Sequence, residues 1–152
     1  MKGGPAVFER ILFATDGSDH SKEALEYAQA LAMRDDAQVI VVHAFRSVST
    51  YLEGETRDSL IARYVAEGRA VAQEAVEELE KAGVDTVVEV LEGPPTNAIL
   101  RVVEARQPDL IVMGSRGQGE LSSLLLGSVS HRVLAHTRVP VLVIRAQESE
   151  AG

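Results

Sequence analysis

A chain of 152 residues with 45% hydrophobic content is expected to form one ordered domain with a sizeable core, and a disordered chain is excluded. Aromatics make up only 4% and Cys is absent, so the core is aliphatic, and disulfides, iron–sulfur clusters and thiolate zinc sites are ruled out. A formal net charge of −8 speaks against a nucleic-acid partner, because phosphate contacts need clustered Lys and Arg.

Apolar runs and helical patterns then alternate along the chain. Ile11-Leu12-Phe13-Ala14 reads as a short buried strand, stopped by Thr15-Asp16-Gly17-Ser18, which has the chemistry of a turn and a helix cap. Ala24, Leu25, Ala28, Leu31 and Ala32 recur at helical spacing. The second strand, Val39 to Ala44, is apolar on both faces, as central parallel strands are. Residues 46–56 read as a loop. Arg57 to Ala82 follows as a long amphipathic helix closed by Gly83, with Gly68 inside it as a mild cost and a bend point. Val84 to Leu91 is the third strand. Pro94-Pro95 leads into a helix over 96–106. Asp109 to Met113 is the fourth strand, and Gly127-Ser128 opens a helix with Val129, Val133 and Leu134 inward. Val139 to Ile144 is the fifth strand, and Ala146 to Gly152 a polar tail.

Five strands alternating with helices predict an α/β domain spanning 1–152, core about 8–146: a parallel sheet with helices on both faces. Ligands of such sheets bind at the carboxyl ends of the strands, where strand order reverses. After the fourth strand comes Gly114-Ser115-Arg116-Gly117-Gln118-Gly119-Glu120, and nine residues separate Gly117 from Gly127. Glycines let backbone N–H groups approach a phosphate, and the helix opening at Gly127-Ser128 presents unpaired N–H groups. Ser128 and Ser130 offer hydroxyl donors, and Arg116 offers charge. A plain surface turn before a capped helix is the competing interpretation, and the position at a strand's carboxyl end favours phosphate binding.

Other chemistries fit less well. Where a P-loop needs Lys stands Glu120, which weighs against a Walker-type NTPase and is expected to point to solvent. No His is placed by sequence as a base for Ser128, so nucleophilic catalysis is not expected. His131 and His136, five apart on a helix, fall on different faces and make a poor metal pair. His20 is expected to be solvated, and His43 packed or hydrogen-bonded. Leu121, Leu124, Leu125 and Leu126 are expected to pack, with a hinged cover or subunit contact as the other use. Glu74, Glu77, Glu78 and Glu80 are expected to form a solvated helix face.

The spacing Gly114-x2-Gly117-x9-Gly127-Ser128 resembles that of the ATP-binding universal stress proteins. The resemblance runs from Ile11 to Ile144, apart from the 46–56 loop. It implies a Rossmann-like fold of the adenine nucleotide alpha hydrolase type, with strand order 3-2-1-4-5. By the same resemblance Gly114, Ser115, Arg116, Gly117, Gln118, Gly119 and Glu120 wrap the ribose and phosphates. Gly127, Ser128, Val129 and Ser130 meet the phosphates from the helix start. Ala14, Thr15 and Asp16 border the nucleotide, with Asp16 on the ribose or on a nucleotide-bound Mg²⁺. Ala44 offers backbone groups to the adenine edge, and Met113 lines the base pocket. The expected ligand is ATP or another adenine nucleotide, in a non-enzymatic regulatory module of the stress response that meets a protein partner. Alternatives are a slow ATPase or self-phosphorylating enzyme using Ser128 or Ser130, and a nucleotide-free scaffold. With that strand order Val139 to Ile144 is a sheet edge, and a homodimer joined along it is expected. No apolar run reaches the roughly 18 residues of a membrane span. Met1 to Arg10 lacks a signal-peptide core, so the expected location is cytoplasmic.

Overall fold

The computed structural model describes residues 6–49, 51–115 and 126–145. The elements run β1 (Arg10–Ala14), α1 (Asp19–Asp35), β2 (Gln38–Phe45), α2 (Gly54–Lys81), β3 (Thr86–Glu92), α3 (Pro95–Arg106), β4 (Leu110–Gly114), α4 (Ser128–His136) and β5 (Val141–Ile144). The five strands form one sheet in the order β3-β2-β1-β4-β5, and every pairing is parallel. The order reverses between β1 and β4, which places the switch point at the carboxyl ends of those two strands.

Strand alternation splits the core in two. Ile11, Phe13, Val39, Val41, Leu110 and Val112 face one side, where α1 supplies Ala24, Leu25 and Ala28 and α2 supplies Ala72, Val76 and Leu79. Leu12, Ile40, Val42, Ile111 and Met113 face the other, with Ile99 and Val102 of α3 and Val133 of α4. The central strands are therefore apolar on both faces over Ile11–Phe13, Val39–Val42 and Leu110–Met113, as the sequence of β2 foretells.

Several elements depart from the sequence expectation. Gly68 does more than weaken α2. A Cβ built there would lie 2.9 Å from both His43 Cδ2 and Val90 Cγ1, so the missing side chain lets α2 settle onto β2 and β3. The fifth strand starts at Val141, not Val139. Leu134, expected inward, is 42% exposed, because α4 turns only Ser130 and Val133 fully toward the core. Leu126 is 42% exposed as well, against the expected packing. Gly83, with φ 78°, ends α2 as expected, its amide donating to Glu80 O at 2.9 Å.

Candidate functional site

The turn after β1 is fixed at both ends by β2. Thr15 N donates to Val42 O at 2.9 Å, and Thr15 O accepts from His43 Nδ1 at 2.8 Å. His43 thus extends the β1–β2 pairing one step past the end of β1, from the sheet face opposite the α3/α4 core. Thr15 Oγ1 accepts from Gly17 N at 3.1 Å, and Asp16 Oδ1 accepts from Ser18 N at 2.9 Å. Ser18 then caps α1 by accepting from Ser21 N. These short-range bonds hold the Asp16 carboxylate at the switch point.

On the β4 side, Ser115 N donates to Ile144 O at 2.8 Å, and Gly127 N donates to Ser115 O. The chain leaving β4 and the chain entering α4 are thereby tied side by side. The first helical bond of α4 runs from His131 N to Gly127 O at 3.0 Å, so the amides of residues 128–130 precede the helical ladder. They carry the positive end of the helix dipole.

Between these two turns lies an open, mostly apolar cleft, the concave kind of surface that small-molecule sites use. Ala14, Thr15, Asp16, Ala44, Met113, Gly114, Gly127, Val129 and Ser130 line it, each of them singled out from sequence. Val42, Ile99, Pro95 and Ser21 line it too and were not singled out. Val42 was within reach, since alternation puts it on the same face as Ala44. Ile99 and Pro95 arrive only because α3 lies across β2, which no local pattern announces. Ser115 is 4% exposed, and neither it nor the exposed Ser128 is among the described lining residues. Arg116, Gly117, Gln118, Gly119 and Glu120 lie outside the described residues, as do Leu121, Leu124 and Leu125 and the tail from Ala146.

Two side chains behave differently from the sequence expectation. The Ser130 hydroxyl is 2% exposed and donates to Gly114 O at 2.8 Å, so its proton is used on the backbone and not on a phosphate. His20 is half-buried where solvation was expected, since its Cβ and main chain press against Gly114. His43 is hydrogen-bonded, as anticipated.

The lining residues sort by chemistry. Val42, Ile99, Met113 and Val129 give an apolar wall suited to a planar base. The start of α4 gives amide donors for an anion. Asp16 is the one ionisable group among the described lining residues. Among the described residues no group of three or more His, Asp or Glu side chains could hold a metal ion.

Comparison with known proteins bears on this arrangement. Residues 8–145 match the model of the universal stress protein family. The chain is 39% identical over 139 residues to a universal stress protein from the QAH/OAS sulfhydrylase 3' region of Thermus aquaticus, covering 91% of this chain and all of that one. Among solved structures, the hypothetical protein MJ0577 superposes with a TM-score of 0.85 at 28% identity, covering 95% of this chain and all of its own. That protein comes from Methanocaldococcus jannaschii and is itself described as a universal stress protein. A universal stress protein solved in complex with cAMP shares the fold at a TM-score of 0.73 and 24% identity, covering 93% of this chain and all of its own.

Proposed function

The chain belongs to the universal stress protein family, and from that premise we propose that it binds ATP in the switch-point cleft and acts as a nucleotide-dependent regulatory protein of the stress response. The observation that carries the proposal is the meeting of an apolar base-sized wall and a helix start in one cleft. The adenine lies against Val42, Ile99 and Met113, with its edge toward the backbone of Ala44. The phosphates run toward Gly127, Val129 and Ser130 and the Gly114–Glu120 segment, where Arg116 offsets their charge. Asp16 meets the ribose or a nucleotide-bound Mg²⁺. The cAMP held by a protein of this fold supports an adenine nucleotide as the ligand class. A cytoplasmic location goes with this function.

Binding without turnover is the companion proposal. The Ser130 hydroxyl donates into the backbone, and no general base stands among the described cleft residues except Asp16, whose Oδ1 already accepts from Ser18. ATP hydrolysis is expected below ~1 s⁻¹, the lower end of ordinary enzyme turnover. Steady-state phosphate release measures it, and a faster rate would contradict the binder assignment.

The deciding experiment is to denature purified protein and identify the released small molecules by mass spectrometry, then titrate ATP by calorimetry. Gly117→Val is expected to weaken ATP binding by about tenfold or more, a loss of roughly 1.4 kcal/mol, by placing a branched side chain where backbone amides approach phosphate. Unchanged affinity in that variant sinks the assignment.

A further inference from the structure

The α1/α2 side of the sheet carries a second depression that the nucleotide does not use. It has a cavity volume of about 410 Å³, against about 90 Å³ for the cleft, and runs between α1 and α2. Its floor is apolar, formed by Phe13, Leu25, Val71 and Ala75. Its rim is acidic, with Glu26 from α1 and Glu74, Glu77 and Glu78 from α2 against one Lys22. Among the described residues Glu26, Glu74 and Glu77 make no ion pair, and Glu78 reaches only Lys81, at 3.8 Å. Like charges three and four apart on one helix face destabilise it, so helix stability does not account for the Glu74/Glu77/Glu78 cluster. The sequence suggested a solvated face; the structure puts three of its four acids at the edge of an apolar trough.

An apolar floor under an acidic rim complements one chemistry, a segment with apolar side chains on one face and Lys or Arg at its flanks. A polyamine would satisfy the rim and leave the floor wet. We infer that this groove docks a basic amphipathic helix of a partner protein, and that nucleotide in the cleft tightens the docking. The wall between the two sites is thin. Thr15 and Ser21 line both, and Thr15 Oγ1 donates to Ser21 Oγ at 3.2 Å. Gly17, bonded to Thr15 Oγ1, lies against Val71 of α2. The negative charge of a bound phosphate chain adds to that of the rim and attracts a basic segment, which raises affinity. Only this coupling rests on the nucleotide assignment proposed above.

The test uses the full chain and a short labelled peptide helix, leucines on one face and lysines flanking them, followed by fluorescence anisotropy at about 0.15 M salt, where distant charges are screened. The amphipathic peptide is expected to bind about tenfold tighter than a scrambled peptide of the same composition. The triple variant Glu74→Gln, Glu77→Gln, Glu78→Gln is expected to weaken it by about tenfold. Removing the same charge elsewhere, by Glu53→Gln, Glu55→Gln and Glu104→Gln, none of which lines the groove, is expected to leave affinity within about twofold, since distant exposed charges are screened. Equal losses in the two variants, equal binding of the scrambled peptide, displacement by spermine at matched charge, or no binding would each overturn the groove. Saturating ATP is expected to tighten the peptide by about threefold or more, and the peptide to tighten ATP by the same factor. ATP that binds by calorimetry yet leaves the peptide unaffected overturns the coupling. ATP that does not bind overturns the nucleotide assignment, and the groove still stands or falls on the peptide variants.

Discussion

Leucine at Gly114 is expected to lower stability by about 3 kcal/mol, the upper part of the usual cost of overpacking, and the thermal midpoint by roughly 6–12 °C. The cause is steric contact with a helix. A Cβ built on Gly114 would lie 2.9 Å from His20 Cβ, 3.0 Å from the His20 main-chain carbon and 3.1 Å from its oxygen. A flexible side-chain tip could swing away, but main chain in the first turn of α1 cannot move without moving Ser18 and Ser21, which cap that turn. Alanine already carries the offending atom, so Gly114→Ala is expected to show a large part of the loss, about 1–3 kcal/mol. Thermal unfolding of the two variants checks this, and a neutral alanine would refute the steric account. The same displacement would disturb the Ser130 bond to Gly114 O and the turn that presents Asp16. ATP affinity is therefore expected to fall even where the variant is still folded. Gly114 is thus required first for packing α1 against the end of β4, one step before any phosphate is considered.

That double duty marks what sequence reasoning can reach. Strand and helix order were legible because Ile11 to Phe13, Val39 to Val42 and Leu110 to Met113 are short apolar runs between capped helices, and such runs have few alternatives. The cleft's rim was legible because Gly114, Gly127 and Ser130 stand at a strand end and a helix start, where backbone chemistry is local. What escaped depends on crossings between distant elements. Ile99 joins the cleft through the path of α3 over β2, and Gly68 matters through α2 resting on His43 and Val90. His20 looked solvated because a first-turn position says nothing about a glycine ninety-four residues later in the chain. Leu134 was placed inward by helical period alone, but a nine-residue helix presents too narrow a buried face to hold both it and Val133. The Ser130 hydroxyl was read as a phosphate donor because its burial against Gly114 O is a tertiary fact.

Proline at Val143 is expected to convert a dimer to a monomer while leaving the fold intact. Among the described residues β5 is the sheet edge, paired only with β4. Ile111 N donates to Pro140 O, just before β5, and Ser115 N donates to Ile144 O at its end, so both acceptors are even-numbered. In a parallel ladder the residues whose carbonyls face the neighbour also face it with their amides, and the intervening ones face away. The amides of Val141 and Val143 therefore point to the open edge, and that of Leu142 points to β4. No Lys interrupts Val141-Leu142-Val143-Ile144, and an apolar edge with free amides invites pairing with another chain. A second copy, antiparallel about a two-fold axis, would use the outward amides and cover the half-buried valines. The chain is accordingly expected to scatter light at micromolar concentration as twice its 16.3 kDa mass. Val143→Pro removes an outward donor and puts a ring in the path of the second strand, at a position where edge strands tolerate proline. Leu142→Pro instead breaks the bond to β4 and is expected to cost about 3 kcal/mol of stability, a difference that separates loss of pairing from loss of fold. A monomeric parent chain, or a Val143→Pro variant that stays dimeric, would remove β5 as the joining edge.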